Sequence, residues 1–455
     1  MSTIKKAWQF CLLSFVATMA LSSPSLAVLE VDITNFNLEP VPVSVADFVG
    51  ESQIPDRQAE VEQMAKDVRE VLIADLERSG LFRSIPREAF IQTDAGVGAY
   101  PRYADWRAIG SDALVVGTVQ FRPNGDLVLS VRLWDVFGQD QLVGRNLIEP
   151  VGNWRKLAHR AADLIYEKLT GESGYFSTRI VYVAESGPLT NRVKRLAIMD
   201  QDGANHEYLT DGSFLALTPR FSPTLIGKKL VITYLSYQDN RPRVYLKEVG
   251  TDKEEMLGEF DGMTFAPRFS PDGNKVVMSL IQNGSSDIYE MDLLTRDVRQ
   301  LTRHPDIDTS PSYSPDGRRL VFESDRSGSQ QIYVMDADGS NVKRISFGRG
   351  RYKTPVWSPR GDLIAFTHSY RGRYSIGVMR TDGSQERLLT ESFLDEGPTW
   401  SPNGRVLMFF RQKPFDARGE GGSYSIWSID LTGRNEREIP ATGDASDPAW
   451  SPLIP

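Results

Sequence analysis

The sequence predicts a mainly β protein: a six-bladed β-propeller, closed by pairing of its N- and C-terminal strands and preceded by a small α/β domain. Three observations carry this. A Pro-x-aromatic-Ser-Pro segment occurs six times, starting at Pro219, Pro267, Pro311, Pro355, Pro398 and Pro448. Successive copies begin 48, 44, 44, 43 and 50 residues apart, a spacing that suits a four-stranded propeller blade and exceeds that of leucine-rich or β-helix solenoids. Helical periodicity is confined to residues before Gly174, after which short apolar runs and turn residues take over.

The first 27 residues read as a secretory leader. Lys5 and Lys6 form a basic start, Phe10 to Leu21 an apolar stretch, and Ser25-Leu26-Ala27 a small-residue cleavage site. The apolar stretch is short of the roughly 18 to 20 residues that span a bilayer. The single cysteine, Cys11, lies within the leader, so the exported chain has no disulfide and relies on burial for stability. The whole chain carries a net charge of -8, and loss of the two leader lysines makes it more acidic, which argues against a nucleic-acid partner.

Residues 28–172 are expected to form the α/β domain with a leading arm. Leu29–Ile33 and Val41–Val45 alternate like short strands. Arg57–Ser79 places Val61, Met64, Ala65, Val68, Leu72 and Leu76 on one helical face and stops at Gly80. Ala113–Val119 and Leu127–Leu133 flank Pro123-Asn-Gly-Asp126, a hairpin signature. Asn153–Leu169 is a second amphipathic helix, with Trp154, Leu157, Ala161, Ile165 and Leu169 inward and Gly171 as its stop.

Residues 173–455 are expected to form the propeller. Each repeat holds four strands, joined by turns such as Ser270-Pro-Asp-Gly273 and Ser314-Pro-Asp-Gly317, where Pro supplies φ near -65° and Gly a positive φ. Residues 179–210 offer only three strands, and the missing first strand stands at Pro448–Leu453, so the two ends pair and close the ring. The repeated prolines are expected at the first position of the channel-lining strands, because proline lacks an N–H. The aromatics two residues on, Phe221, Phe269, Tyr313, Trp357, Trp400 and Trp450, are expected between blades.

The sequence offers catalysis no foothold. His159, His206, His304 and His368 are scattered without metal-ligand spacing, and no Gly-x-Ser-x-Gly elbow occurs. Asp306 and Asp308 as a cation grip, and Arg349, Arg351 and Lys353 as an anion patch, are weaker readings than ordinary turns and solvated loops. No catalytic residue, metal or cofactor is expected. The segments entering each blade's first strand gather at one channel mouth. Among them Met263, Thr264, Phe265, Ala266, Asp308, Thr309, Ser310, Tyr352, Lys353, Thr354, Asp395 and Glu396 are candidate partner-binding residues, with Phe265 and Tyr352 as anchors and Asp308, Asp395 and Glu396 as orienting carboxylates.

Leu29-Glu-Val-Asp-Ile-Thr34 with Glu39-Pro-Val-Pro-Val43, Glu167-Lys-Leu-Thr-Gly171, Phe393-Leu-Asp-Glu-Gly-Pro398 and the closing Pro448-Ala-Trp-Ser-Pro452 resemble the TolB family of the periplasmic Tol-Pal system, in the same order of parts. The resemblance implies a monomeric, non-enzymatic adaptor in the periplasm. It would bind the peptidoglycan-associated lipoprotein Pal at the channel mouth, and through Pal lie peripheral to the outer membrane. It would bind TolA through the arm at Val28, Leu29, Glu30, Val31, Asp32 and Ile33, work with other Tol-system components, and support outer-membrane integrity and constriction at cell division. Carried over by position, Thr264–Ala266 and Asp308–Ser310 would lie under Pal. The chain departs from the family pattern at Ser222-Pro-Thr224, which lacks the Asp-Gly turn, in the Gly-rich stretch from Lys413 to Ser423, and at Ser310, where an acidic residue is expected. A propeller enzyme acting on glycans or peptides, or a small-ligand or ion-binding propeller, remains the alternative.

Overall fold

The computed structural model describes residues 39–188, 191–259, 263–282, 284–416 and 421–455. The leader and the arm from Val28 to Ile33 lie outside the described residues. Among these residues no helix is long and apolar enough to cross a membrane.

The first domain is a mixed sheet with helices on both faces. Its strands lie in the order Phe82–Ser84, Val41–Val45, Ala113–Phe121, Asp126–Asp135 and Asp140–Pro150, and Val49–Ser52 also pairs with the third. Alternation along the central strands sorts side chains between the faces. Val115, Val119, Leu129 and Val131 pack against helices α1 (Gln58–Arg78) and α3 (Trp154–Thr170), whereas Leu114, Val116 and Trp134 pack against the short helix α2 (Tyr103–Ala108) through Trp106. The two long helices match the periodicity, and Gly171 ends α3 with φ 71°. Gly80, after α1, has φ 73° and lies so close to Asn435 of the propeller that a Cβ there would overlap its side chain, so this glycine both stops the helix and lets the domains meet. The strand Asp140–Pro150 and helix α2 were not anticipated. That strand is an edge with mostly exposed side chains, hence without the clean alternation of a half-buried strand.

Six four-stranded sheets follow. The first strands of blades one to five are Ala216–Phe221, Met263–Phe269, Asp308–Tyr313, Arg351–Trp357 and Leu394–Trp400. Blade six is composite: Asp444–Trp450, from the end of the chain, pairs antiparallel with Arg179–Ser186, which leads to Val193–Asp200 and Glu207–Tyr208. The closure is reinforced by Ser451 N–H to the Arg179 carbonyl at 2.9 Å and by Ser177 Oγ to the Ile454 carbonyl at 2.8 Å. All six repeated aromatics are buried. Phe269 packs with Val231 and Val244 of the preceding blade, Tyr313 with Val277 and Ile288, Trp357 with Val321 and Ile332, and Trp400 with Val356 and Val378. Each contributes about 1.5–3 kcal/mol by burial.

The prolines are not where the sequence reading put them. Each sits inside its inner strand, at a β-bulge that interrupts the register, as between Leu217 and Arg220 or Thr309 and Ser312. Among the described residues, the one before it has positive φ at Thr218 (47°), Ser310 (55°), Thr354 (45°), Gly397 (67°) and Asp447 (50°). A bulge leaves a residue outside the ladder, so a residue without an N–H costs nothing there.

Candidate functional site

The channel mouth is built by the entries to the inner strands. Leu215, Ile307 and Phe393 each stand one residue before such a strand and are 37%, 47% and 43% exposed. They hold the same place in three repeats and present apolar surface on one rim, a feature of protein-binding faces. None of the three is among the candidate anchors Phe265 and Tyr352, because single exposed apolar residues carry no signal until the repeats are aligned on strand starts.

The candidate residues divide into those the fold consumes and those it leaves at the surface. Asp308 and Asp395 are fully buried. Both oxygens of Asp308 accept from Arg326 Nη2, at 2.9 and 2.7 Å. Asp395 accepts from Arg411 Nε and Nη2 at 2.7 and 2.8 Å. The arginines in turn lie over aromatic rings, Arg326 over Tyr333 and Arg411 over Trp427. These carboxylates therefore brace the rim from within instead of projecting from it. Tyr352 is likewise buried, with its hydroxyl donating to Glu386 Oε1 at 2.8 Å, and so is no exposed anchor. Arg326 and Arg411 were missed, since 16 to 18 residues separate each from its partner.

Thr309, Ser310, Lys353, Thr354 and Glu396 are half-buried at or just inside the mouth. Met263, Thr264, Phe265 and Ala266 belong to the inner strand of blade two, and their side chains lie outside the described residues. Lys353 Nζ lies 3.7 Å from Glu396 Oε1. Burial pushes the Glu396 carboxyl above its ordinary value, with Lys353 opposing. Beside them Glu323 accepts from the Thr354 N–H at 3.0 Å and from Gln330 at 2.9 Å. Burial raises its carboxyl too, against the pull of the Thr354 hydrogen bond and Lys353. Ser310 and Thr354 are bulge residues of positive φ, so part of the rim is held in a strained backbone. Glu323 is committed to internal partners, whereas Glu396, 3.7 Å from Lys353, stays half-buried at the mouth.

A second constellation joins the domains. His159 Nδ1 of α3 lies 2.6 Å from Asp75 Oδ2 of α1, and Gln201 Nε2 of blade six donates to Asp75 Oδ1 at 2.9 Å. Burial acts to lower the His159 pKa, but the Asp75 charge and hydrogen bonds to Asp200 and Asp75 outweigh it and push it up to about 10. Asp75, His159 and Asp202 also offer atoms within 4.8 Å of one another, a possible metal-ligand set. Arg78 already pairs with Asp75 and Arg155 with Asp202, so protonated His159 joins a network of carboxylates and cations that bridges the domains. The three residues come from three distant segments, which sequence spacing could not link.

The chain as a whole is similar to known proteins. Residues 29–142 match the profile of the TolB amino-terminal domain, and residues 166–454 that of the TolB beta propeller domain. The chain is 56% identical, over 455 residues, to the Tol-Pal system protein TolB of Paramagnetospirillum magneticum, covering all of this chain and 99% of that one. The crystal structure of TolB from Acinetobacter baumannii superposes with a TM-score of 0.78 at 30% identity, covering 91% of this chain and 97% of that one.

Proposed function

Because the chain belongs to the TolB family, a component of the periplasmic Tol-Pal system, we propose that it is a non-enzymatic adaptor that binds Pal through the propeller's channel mouth and TolA through its N-terminal arm. In this reading the leader is removed after Ala27 on export, residues 28–172 form the arm and α/β domain, and residues 173–455 the propeller. The protein thereby links Pal to TolA, supporting outer-membrane integrity and constriction at division. The observation that carries the reading is the end-to-end match to a Tol-Pal system protein TolB. The rim adds physical support: Leu215, Ile307 and Phe393 supply apolar contact area around a mouth whose backbone is fixed by buried Asp-Arg pairs. The side chains of Thr309, Ser310, Lys353, Thr354 and Glu396 would meet Pal directly, together with the Met263–Ala266 strand. Asp308, Asp395 and Tyr352 would act by holding the rim in shape.

Calorimetric titration with the periplasmic domain of the cognate Pal, and separately with the C-terminal domain of TolA, tests this. Saturable one-to-one binding of each is expected, with TolA binding lost when Val28–Ile33 is deleted and Pal binding kept. Absence of Pal binding by folded protein would reduce the kinship to a shared scaffold.

A further inference from the structure

We propose that the channel end beside the Ser-Pro turns, opposite the proposed Pal face, is a binding site for a small multiply charged oxyanion held by the guanidinium groups of Arg220 and Arg268. All six blades contribute to a cavity of about 240 Å³ on the channel axis, lined by Arg220, Arg268, Ser312, Thr399, the repeated aromatics other than Trp400, and the turn prolines of blades one to four. Arg220 and Arg268 occupy the same slot of adjacent repeats, directly after the bulge proline.

Their environment supplies too little negative charge. Arg220 donates to the carbonyl of its neighbour Pro219 at 2.7 Å, and its Nε is buried with no acceptor. Arg268 has no hydrogen-bond or ion-pair partner among the described residues. Burial lowers the pKa of both guanidiniums. For Arg268 the lowering is large and the Arg220 charge adds to it. Asp447 is the carboxylate that opposes these shifts, and it contacts neither arginine closely enough to form an ion pair.

The same slot in blades three and five holds Ser312 and Thr399. Each hydroxyl accepts a backbone N–H from the next blade, from Trp357 at 3.2 Å and Trp450 at 3.3 Å, which leaves its own O–H to donate. One ring thus carries two guanidiniums and two hydroxyl donors. Both arginines are half-buried in the channel wall; like charges held together and partly desolvated are costly unless paired, and an oxyanion that accepts bidentate guanidinium bonds meets that need.

The test is a thermal-shift and calorimetric titration of the purified protein with inorganic phosphate and, in a second arm, succinate, against chloride of equal ionic strength. A saturable rise in Tm is expected with at least one, phosphate selecting a phosphoryl-type ligand and succinate a carboxylate. Arg268→Met and Arg220→Met should each abolish it, while Arg268→Met alone raises the ligand-free Tm by removing an unpaired charge. If a methionine variant fails to fold, Arg268→Lys is used, and it should weaken binding at least tenfold. No saturable shift with either anion, or a shift undiminished in the variants, overturns the proposal.

Discussion

Arg326 Nη2 reaches both carboxylate oxygens of Asp308, at 2.9 and 2.7 Å, with Asp308 wholly out of solvent. The rim of the channel is therefore set by an internal ion pair, repeated by Asp395 and Arg411 in blade five. Removing one member strands the other. Asp308→Ala should cost about 3–5 kcal/mol, read as a lowered urea midpoint. Asp308→Leu combined with Arg326→Met should recover much of that loss, because neither charge is then buried alone. Equal destabilisation by the single and double variants would contradict a pairing role.

Thr218 carries φ 47° with a buried hydroxyl that has no partner. A β-branched residue in this region is strained. Thr218→Gly should raise stability by about 1 kcal/mol net, after glycine's added unfolded-state entropy. Thr354→Gly should gain less, since it removes the 2.9 Å contact between the Thr354 and Thr367 hydroxyls. Denaturant midpoints at unchanged m-value decide both.

His159 links stability to pH. Its folded pKa of about 10 lies above the ordinary 6.5, so its contribution is full below about pH 6.5 and is lost as pH rises through about 10. Stability should fall across that window. His159→Gln should be less stable than wild type near pH 6 and show a flatter profile up to pH 10. Parallel profiles for the two proteins would remove His159 from the account.

The repeat made most of the propeller legible. Proline, aromatic and Ser-Pro recur at fixed places because every blade solves the same packing problem, and the missing strand before Arg179 exposed the ring closure. Less could be read where structure depends on distant partners. The bulge that places Pro219 and its equivalents inside a strand is a matter of register. Asp308, Asp395 and Tyr352 looked like surface groups because their partners Arg326, Arg411 and Glu386 become neighbours only across strands. The same holds for His159, whose charge depends on Asp75 at 84 residues' distance. Arg220 and Arg268 stood in plain view within two Pro-Arg-Phe repeats, but their confinement to a channel is a property of the closed ring.

The most direct test of the rim assignment is the Kd for the periplasmic domain of Pal measured on wild type, Ile307→Glu, Thr309→Arg and Asp338→Arg. Asp338 lies exposed in the turn after the third strand of blade three, away from the inner-strand entries. The account predicts that both rim changes weaken binding tenfold or more, a loss of about 1.4 kcal/mol, while Asp338→Arg leaves Kd within twofold of wild type. Unaltered affinity in both rim variants, or a loss confined to Asp338→Arg, would move the partner-binding face off the channel mouth.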